Sequence, residues 1–413
     1  MESPSKITFR LEPQSPIIHF QYDQAGVTLR ASEVKPKLDK FLEKKKGNIP
    51  ADWKIEKQDK ALNYKIRISL RQESKIDQPN KIFYGNTNSK REKDFKEKNA
   101  VISYPNITIV CFNNDLLQFI KENIREFFIV TNFGTMQSKG FGSFIVADEN
   151  KTEKEIVNTF KSNGIEAVYK ICFNNKKGNF IYLDEPNCDM LQKMFDQIKI
   201  FYSVMKSGMN MGSKPQKNSN NPKVVDEPKK SKGRFAHSFL LRYMHDEFDI
   251  DNEKAWMKEF KISPDVVTNN ERKEDIGQKN SNPRYVRAMF GKGDSINYFK
   301  NNLLRNEDKI SIGIQHSKKK IERIPSIIQF KIIGNCVFIL GKKVPKKVYN
   351  QKFTFSGYKK MSLSTPSTDD FEKCGNEFPI EDFLDKYMNY YNGKLRDEEL
   401  FVVRNCQKVV KCE

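Results

Sequence analysis

The chain has 413 residues, of which 73 are Lys or Arg and 53 are Asp or Glu, giving a formal net charge of +20 at neutral pH. With 37% hydrophobic residues, 31 Phe and 15 Tyr among them, it can bury a sizeable core, which excludes disorder throughout, and its length points to two domains. No apolar run approaches a membrane span, residues 1–20 lack a signal-peptide pattern, and no long basic helix has a clean apolar face, so the charge calls for an extended polyanion and not a membrane.

In chain order, Lys6–Phe20 reads as a strand whose second half is demoted to an edge or bulge by Pro13 and Pro16. Ser32 is placed to cap a helix through SEVKPKLDKFLEKKK, with Val34, Leu38, Phe41 and Leu42 on one face. Tyr64, Ile66, Ile68 and Leu70 alternate as a strand, and the polar residues 73–100 read as an exposed insertion. A strand at Asn106–Phe112 precedes a helix at Asp115–Phe127, with Asn114 as its cap. A glycine loop follows, then a strand at Gly142–Ala147, a helix at Thr152–Ser162, a strand at Ala167–Phe173 and a helix at Met190–Met205. This order predicts an α+β fold with a ferredoxin-like β-α-β-β-α-β unit in a first domain, 1–206.

Residues 207–233, rich in Gly, Ser, Asn, Pro and Lys, read as a flexible linker or loop. The second domain, 234–413, is again α+β. Short helices are expected at Trp256–Phe260, near 295–304 and at Glu381–Tyr391. Strands are expected at Ile310–Gln315, Ile327–Ile333 and Cys336–Leu340, the last two joined by a Gly334-Asn335 hairpin signal. The seven cysteines form no CxxC pair and suit a reducing cytosol, with Cys111, Cys172 and Cys336 as small core residues. The four histidines do not combine with cysteines at ligand spacing, and neither a Walker motif nor a Rossmann fingerprint occurs, so neither a metal nor a cofactor is expected.

The sharpest site signal is Thr131–Val146, TNFGTMQSKGFGSFIV. Glycine lets a backbone reach positive φ and lets another backbone approach, and successive N–H groups in such a turn can cradle an anion beside Lys139. Lys139, Gly140, Phe141 and Gly142 are therefore candidate contacts to a nucleic-acid phosphate. Arg30 with Lys35, Lys37 and Lys40 would extend the phosphate-attracting field of the first helix N-terminus. Arg234, His237 and Arg242 become neighbours if their segment is helical, and could line a nucleic-acid channel. Arg284 and Arg287 share a helical face beside Gly291-Lys292-Gly293. Lys318–Lys320 and the basic, aromatic stretch 342–360 combine charge with stacking. His19 and His237 are weak candidates for a general acid or base, and no residue is assigned as catalytic.

Taken in order, these segments resemble the RAMP superfamily of CRISPR-associated RNA-binding proteins. The residues that carry the resemblance are Ser15-Pro16, Leu29-Arg30 before the first helix, Lys139-Gly140-Phe141-Gly142-Ser143, NPRYVRAMFGKG and Arg323-Ile324-Pro325-Ser326. It covers the first 50 residues, 115–146 and parts of 280–340, and is strongest toward type III effector subunits placed near one end of the RNA-bound filament. The loop departs from the family pattern in having Lys139 alone where Arg and Gly are usual. The resemblance implies one or two modified ferredoxin-like (RRM-like) domains with insertions, RNA-backbone binding, other RAMP subunits as partners, and cytoplasmic antiviral defence. The expectation is a non-catalytic RNA-binding subunit of a ribonucleoprotein complex, holding guide or target RNA. The alternatives are a metal-independent endoribonuclease that processes guide RNA, and a basic assembly protein unrelated to CRISPR.

Overall fold

Alternation of apolar and polar residues builds the first sheet. In chain order its elements are β1 (Ser5–Pro13), α1 (Ala31–Lys46), the short hairpin β2 (Lys54–Ile55) and β3 (Gln58–Leu62), β4 (Tyr64–Lys75), β5 (Val101–Cys111), α2 (Asn114–Val130) and β6 (Phe144–Val146). The strand order is β4-β5-β1-β6, antiparallel at each pairing. With the small hairpin set aside, this is the ferredoxin-like arrangement that a β-α-β-β-α-β order leads to. Ile7, Phe9 and Leu11 of β1, Ile107 and Ile109 of β5, and Tyr64, Ile66 and Ile68 of β4 join one core. Val34, Leu38 and Leu42 of α1 and Leu116, Ile120, Ile124 and Phe127 of α2 pack into it. Each fully buried side chain of this size contributes roughly 1.5–3 kcal/mol.

The computed structural model describes residues 5–18, 28–55, 58–75, 100–147, 151–173, 188–212, 234–253, 282–292, 295–299, 309–318, 321, 323–356, 360–395 and 406–413. The remaining elements are α3 (Glu153–Ser162), β7 (Ala167–Cys172), α4 (Cys188–Lys206), β8 (Met209–Gly212), β9 (Arg234–Ala236), α5 (Phe239–Phe248), β10 (Asp251–Asn252), β11 (Pro283–Arg284), β12 (Ser295–Phe299), β13 (Lys309–His316), β14 (Ile328–Ile333), β15 (Cys336–Gly341), β16 (Lys352–Ser356), β17 (Lys360–Ser364), α6 (Ile380–Lys394) and β18 (Val410–Lys411). The chain divides into two packed units: Met1–Asp196 with Gln329–Leu340 and Val410–Glu413, and Gln197–Ile328 with Gly341–Val409.

The first unit holds a second sheet, β14-β15-β7-β18. Its core includes Ile156, Val157 and Phe160 of α3 with Val168, Ile333 and Phe338. Thr152 starts α3 with a reciprocal capping box to Glu155. Cys172 and Cys336, expected as separate core thiols, form a disulfide. Neighbouring strands β7 and β15 bring their Cα atoms to 4.3 Å across 164 positions of sequence, a proximity that spacing alone does not reveal. In the second unit the larger sheet is β12-β13-β16-β17. Its aromatic core joins Phe239 and Tyr243 of α5 to Phe383 and Tyr387 of α6.

Several boundaries differ from expectation. The first strand stops at Pro13, and Gln14 and Ser15 turn their N–H groups to Ser143 O. Helix α1 begins at Ala31 with Arg30, not Ser32, at the capping position. Asn113 rather than Asn114 caps α2, accepting from Leu116 N–H at 2.8 Å. The helix expected near 295–304 is strand β12 over Ser295–Phe299, because β13 supplies an antiparallel partner. Met209–Gly212, inside the expected linker, is a strand paired with β9. The rest of that linker, most of the insertion at 73–100, and Trp256–Phe260 lie outside the described residues. Among the described residues, no helix is long and apolar enough to cross a membrane.

Candidate nucleic-acid interface

The glycine loop is a closed junction. Gly134, Gly140 and Gly142 adopt positive φ, at 76°, 91° and 67°. A Cβ on Gly142 would stand 1.9 Å from Phe133 O, so only glycine fits there. Ser15 Oγ donates to Gly140 O at 2.7 Å and accepts from Ser143 N–H at 2.9 Å. Gly142 N–H donates to Pro16 O at 2.9 Å. The Ser15-Pro16 and Gly140-Phe141-Gly142 motifs are thus two halves of one contact.

The loop also closes a sheet edge. Strand β14 is the outer strand of its sheet, and an edge exposes unpaired backbone groups. Phe330 N–H donates to Ser138 O at 3.1 Å, Asn132 Nδ2 donates to Phe330 O at 2.9 Å, and Ser143 Oγ donates to Ile332 O at 2.6 Å. Phe141 is fully buried and stacks on Phe195, ring centres 4.3 Å apart. The expected anion cradle is therefore corrected. The N–H groups of Lys139 and Gly140 close turns onto Met136 O and Gln137 O, and those of Gly142 and Ser143 donate to Pro16 O and Ser15 Oγ, so all four are used within the protein.

The first-helix lysines are committed too. Lys37 Nζ donates to Glu33 Oε1 (2.8 Å), Gln137 Oε1 (2.9 Å) and Asn132 O (3.0 Å), which uses all three ammonium protons. Lys35 Nζ donates to Asp39 Oδ2 and Leu62 O and lies 4.1 Å from the Tyr64 ring centre. Arg30 and Lys139 are half-buried, and Lys40 is exposed. Sequence reading missed Lys331, whose signal was one lysine inside the apolar run IIQFKIIG. It is fully buried and donates to Phe128 O (2.7 Å) and Thr131 O (2.8 Å), meeting carbonyls at the C-terminal end of α2. Burial, and next the charge of Lys37, hold its pKa well below that of free lysine.

In the second unit, Arg234 lies on β9, His237 between elements and Arg242 on α5, so the three share no helix. Arg242 is exposed, with its guanidinium 4.7 Å from the Tyr390 ring centre. Arg284 and Arg287 part company because a strand and a 3-10 turn replace the expected helix. Arg284 pairs with Asp370 at 2.9 Å, and Arg287 with the fully buried Glu253. Lys206 Nζ donates to Phe290 O and Gly291 O, and Tyr202 OH to Phe290 O at 2.8 Å, fixing the turn that follows Arg287. Burial, then the charge of Arg287, bring the Lys206 pKa down to about 7 against the pull of Glu253. Lys292 N–H reaches Ile324 O at 3.2 Å, so the FGKG and RIPS segments also meet. Lys318 is exposed, while Lys319, Lys320 and His19 lie outside the described residues.

Each half of the chain therefore pairs a glycine-bearing basic turn with a proline-bearing segment distant in sequence. A family model for the Cmr1 N-terminal domain matches residues 4–209, and one for the Cmr1 C-terminal domain matches residues 235–408. The chain belongs to the Cmr1 family. Cmr1 is a RAMP-family subunit of type III CRISPR effector complexes, so the resemblance seen in scattered motifs extends over most of the chain. The N-terminal Cmr1 match contains Ser15-Pro16 and the glycine loop; the C-terminal match contains FGKG and RIPS. No curated protein matches the sequence.

Proposed function

We propose that this Cmr1-family chain is a non-catalytic subunit that holds guide or target RNA by its backbone within a cytoplasmic type III effector complex, beside other RAMP subunits. Residues 1–206 and 234–413 would act as two RAMP-type domains joined through 207–233. The observation that carries this reading is the net charge of +20. Internal ion pairs such as Lys37–Glu33 and Arg284–Asp370 cancel cation and carboxylate one for one, so they leave that excess intact. A polyphosphate is its natural counter-charge. Of the cations singled out in the sequence, Lys40 and Arg242 are exposed and Arg30 is half-buried, and these are the contacts proposed, while the Lys139 ammonium is buried.

The test is binding of the full chain to labelled single-stranded RNA across a salt series. Affinity is expected to fall by roughly 300-fold or more between about 50 and 200 mM salt if six or more phosphates of a single strand are held. Absence of binding at the low end ends this reading. The same RNA is incubated with EDTA and is expected to stay intact. Cutting that disappears in His19→Ala or His237→Ala would replace the reading with a metal-independent endoribonuclease.

A further inference from the structure

We infer that the outer face of the first sheet is a sequence-tolerant binding surface for single-stranded RNA, with Lys6, Arg10, Lys65 and Arg67 as its phosphate contacts. This rests on the RNA-holding reading above and gives it a place. Strand register sets the surface. Lys6, Val110 and Lys65 stand opposite one another, as do Thr8, Thr108 and Arg67, and Arg10, Asn106 and Ser69. Directly opposed residues in antiparallel strands project to one face. The Thr8 and Thr108 hydroxyls meet at 2.9 Å, which confirms the shared side. The alternate residues of the same strands enter the core, so alternation forces these side chains outward.

The face is open and cationic. Lys6, Thr8, Arg10, Lys65, Arg67 and Ser69 are exposed, and the central Asn106, Thr108 and Val110 are half-buried. Arg71 reaches the same face, with its guanidinium 5.8 Å from the Tyr104 ring centre. Among the described residues, the carboxylate beside them is Glu12, held by Arg71 at 2.9 Å and 4.0 Å from Arg10. Strand spacing puts the β1 and β4 cations on two rails about 10 Å apart, with about 7 Å between Lys65 and Arg67 along β4. Between the rails lies a floor whose hydroxyl and amide groups can meet base edges or ribose hydroxyls. A protein partner fits less well, since interface centres are apolar and Val110 is the single apolar side chain in the three rows.

The experiment compares the full chain with a Lys65→Glu/Arg67→Glu variant. A Lys121→Glu/Lys154→Glu variant, at exposed positions away from this face, makes the same charge change. Thermal melts confirm that all three are folded. The face variant is expected to lose at least about tenfold in affinity for labelled oligouridine and oligoadenosine alike, and the control to stay within about twofold. In a Lys65→Ala/Arg67→Ala variant the salt slope is expected to shrink by about 1.4, near 0.7 per lost contact on a single strand. Wild-type binding that the face variant retains overturns the inference and leaves the RNA-holding reading standing. A wild-type chain that ignores RNA removes both. If the face variant keeps RNA but no longer joins its complex, the surface docks protein and the inference fails.

Discussion

Two parts of the first unit carry lysine on a polar stretch, and they end up opposite in character. In the glycine loop, Gly142 has no room for a methyl group and Lys37 has no proton left to offer. On the outer sheet face, Lys6, Arg10, Lys65 and Arg67 reach solvent. The difference lies in what the backbone requires. Where two segments and a strand edge converge, glycine and short polar side chains are needed to satisfy backbone groups, and a nearby ammonium becomes a brace. Where a strand has one buried face, its other face is left to water, and its cations stay exposed even where, as at Arg10, a carboxylate lies beside them.

The comparison breaks hardest at Gly142. Gly142→Ala pushes a carbon into Phe133 O and holds φ at 67°, and is expected to remove at least about 4 kcal/mol of stability, read by urea unfolding of the full chain. A stable, soluble variant would show that the junction can open. Lys331→Met leaves two carbonyls at the end of α2 without their donor and should cost about 1–3 kcal/mol. It also has a pH signature. Because the folded-state pKa of Lys331 is depressed, unfolding takes up a proton, and stability rises with pH toward the ordinary lysine value of 10.5. The Met variant should show a flatter rise in melting temperature over that alkaline range. At the small end, Arg67→Glu on the open face should change stability by less than about 0.5 kcal/mol. A larger loss would mean that the face is committed to the fold.

Much of the first unit was legible because its signals are local. The alternation in 64–70, the stripe of Val34, Leu38 and Leu42, and the element order all lead to the sheet and helices observed. The pairing of Ser15-Pro16 with the glycine loop was visible as two motifs but not as one contact, since 128 positions separate Ser15 from Ser143. Register was also hidden. Lys65 and Arg67 lay in plain view between the apolar residues of β4, yet only pairing through β5 sets them beside Lys6 and Arg10. Arg284 and Arg287 misled because a helical period was assumed where a strand and a 3-10 turn intervene. Lys331 was passed over because a buried amine needs carbonyl partners that sequence does not display.

The Cys172–Cys336 bond has a consequence for the chain as a covalent object. It closes the stretch from Cys172 to Cys336, 164 positions apart, into a ring carrying two tails. A single protease cut anywhere on that ring would leave one molecule of unchanged mass on a denaturing gel, apart from the water added. The fragments would separate once a thiol reductant opened the ring.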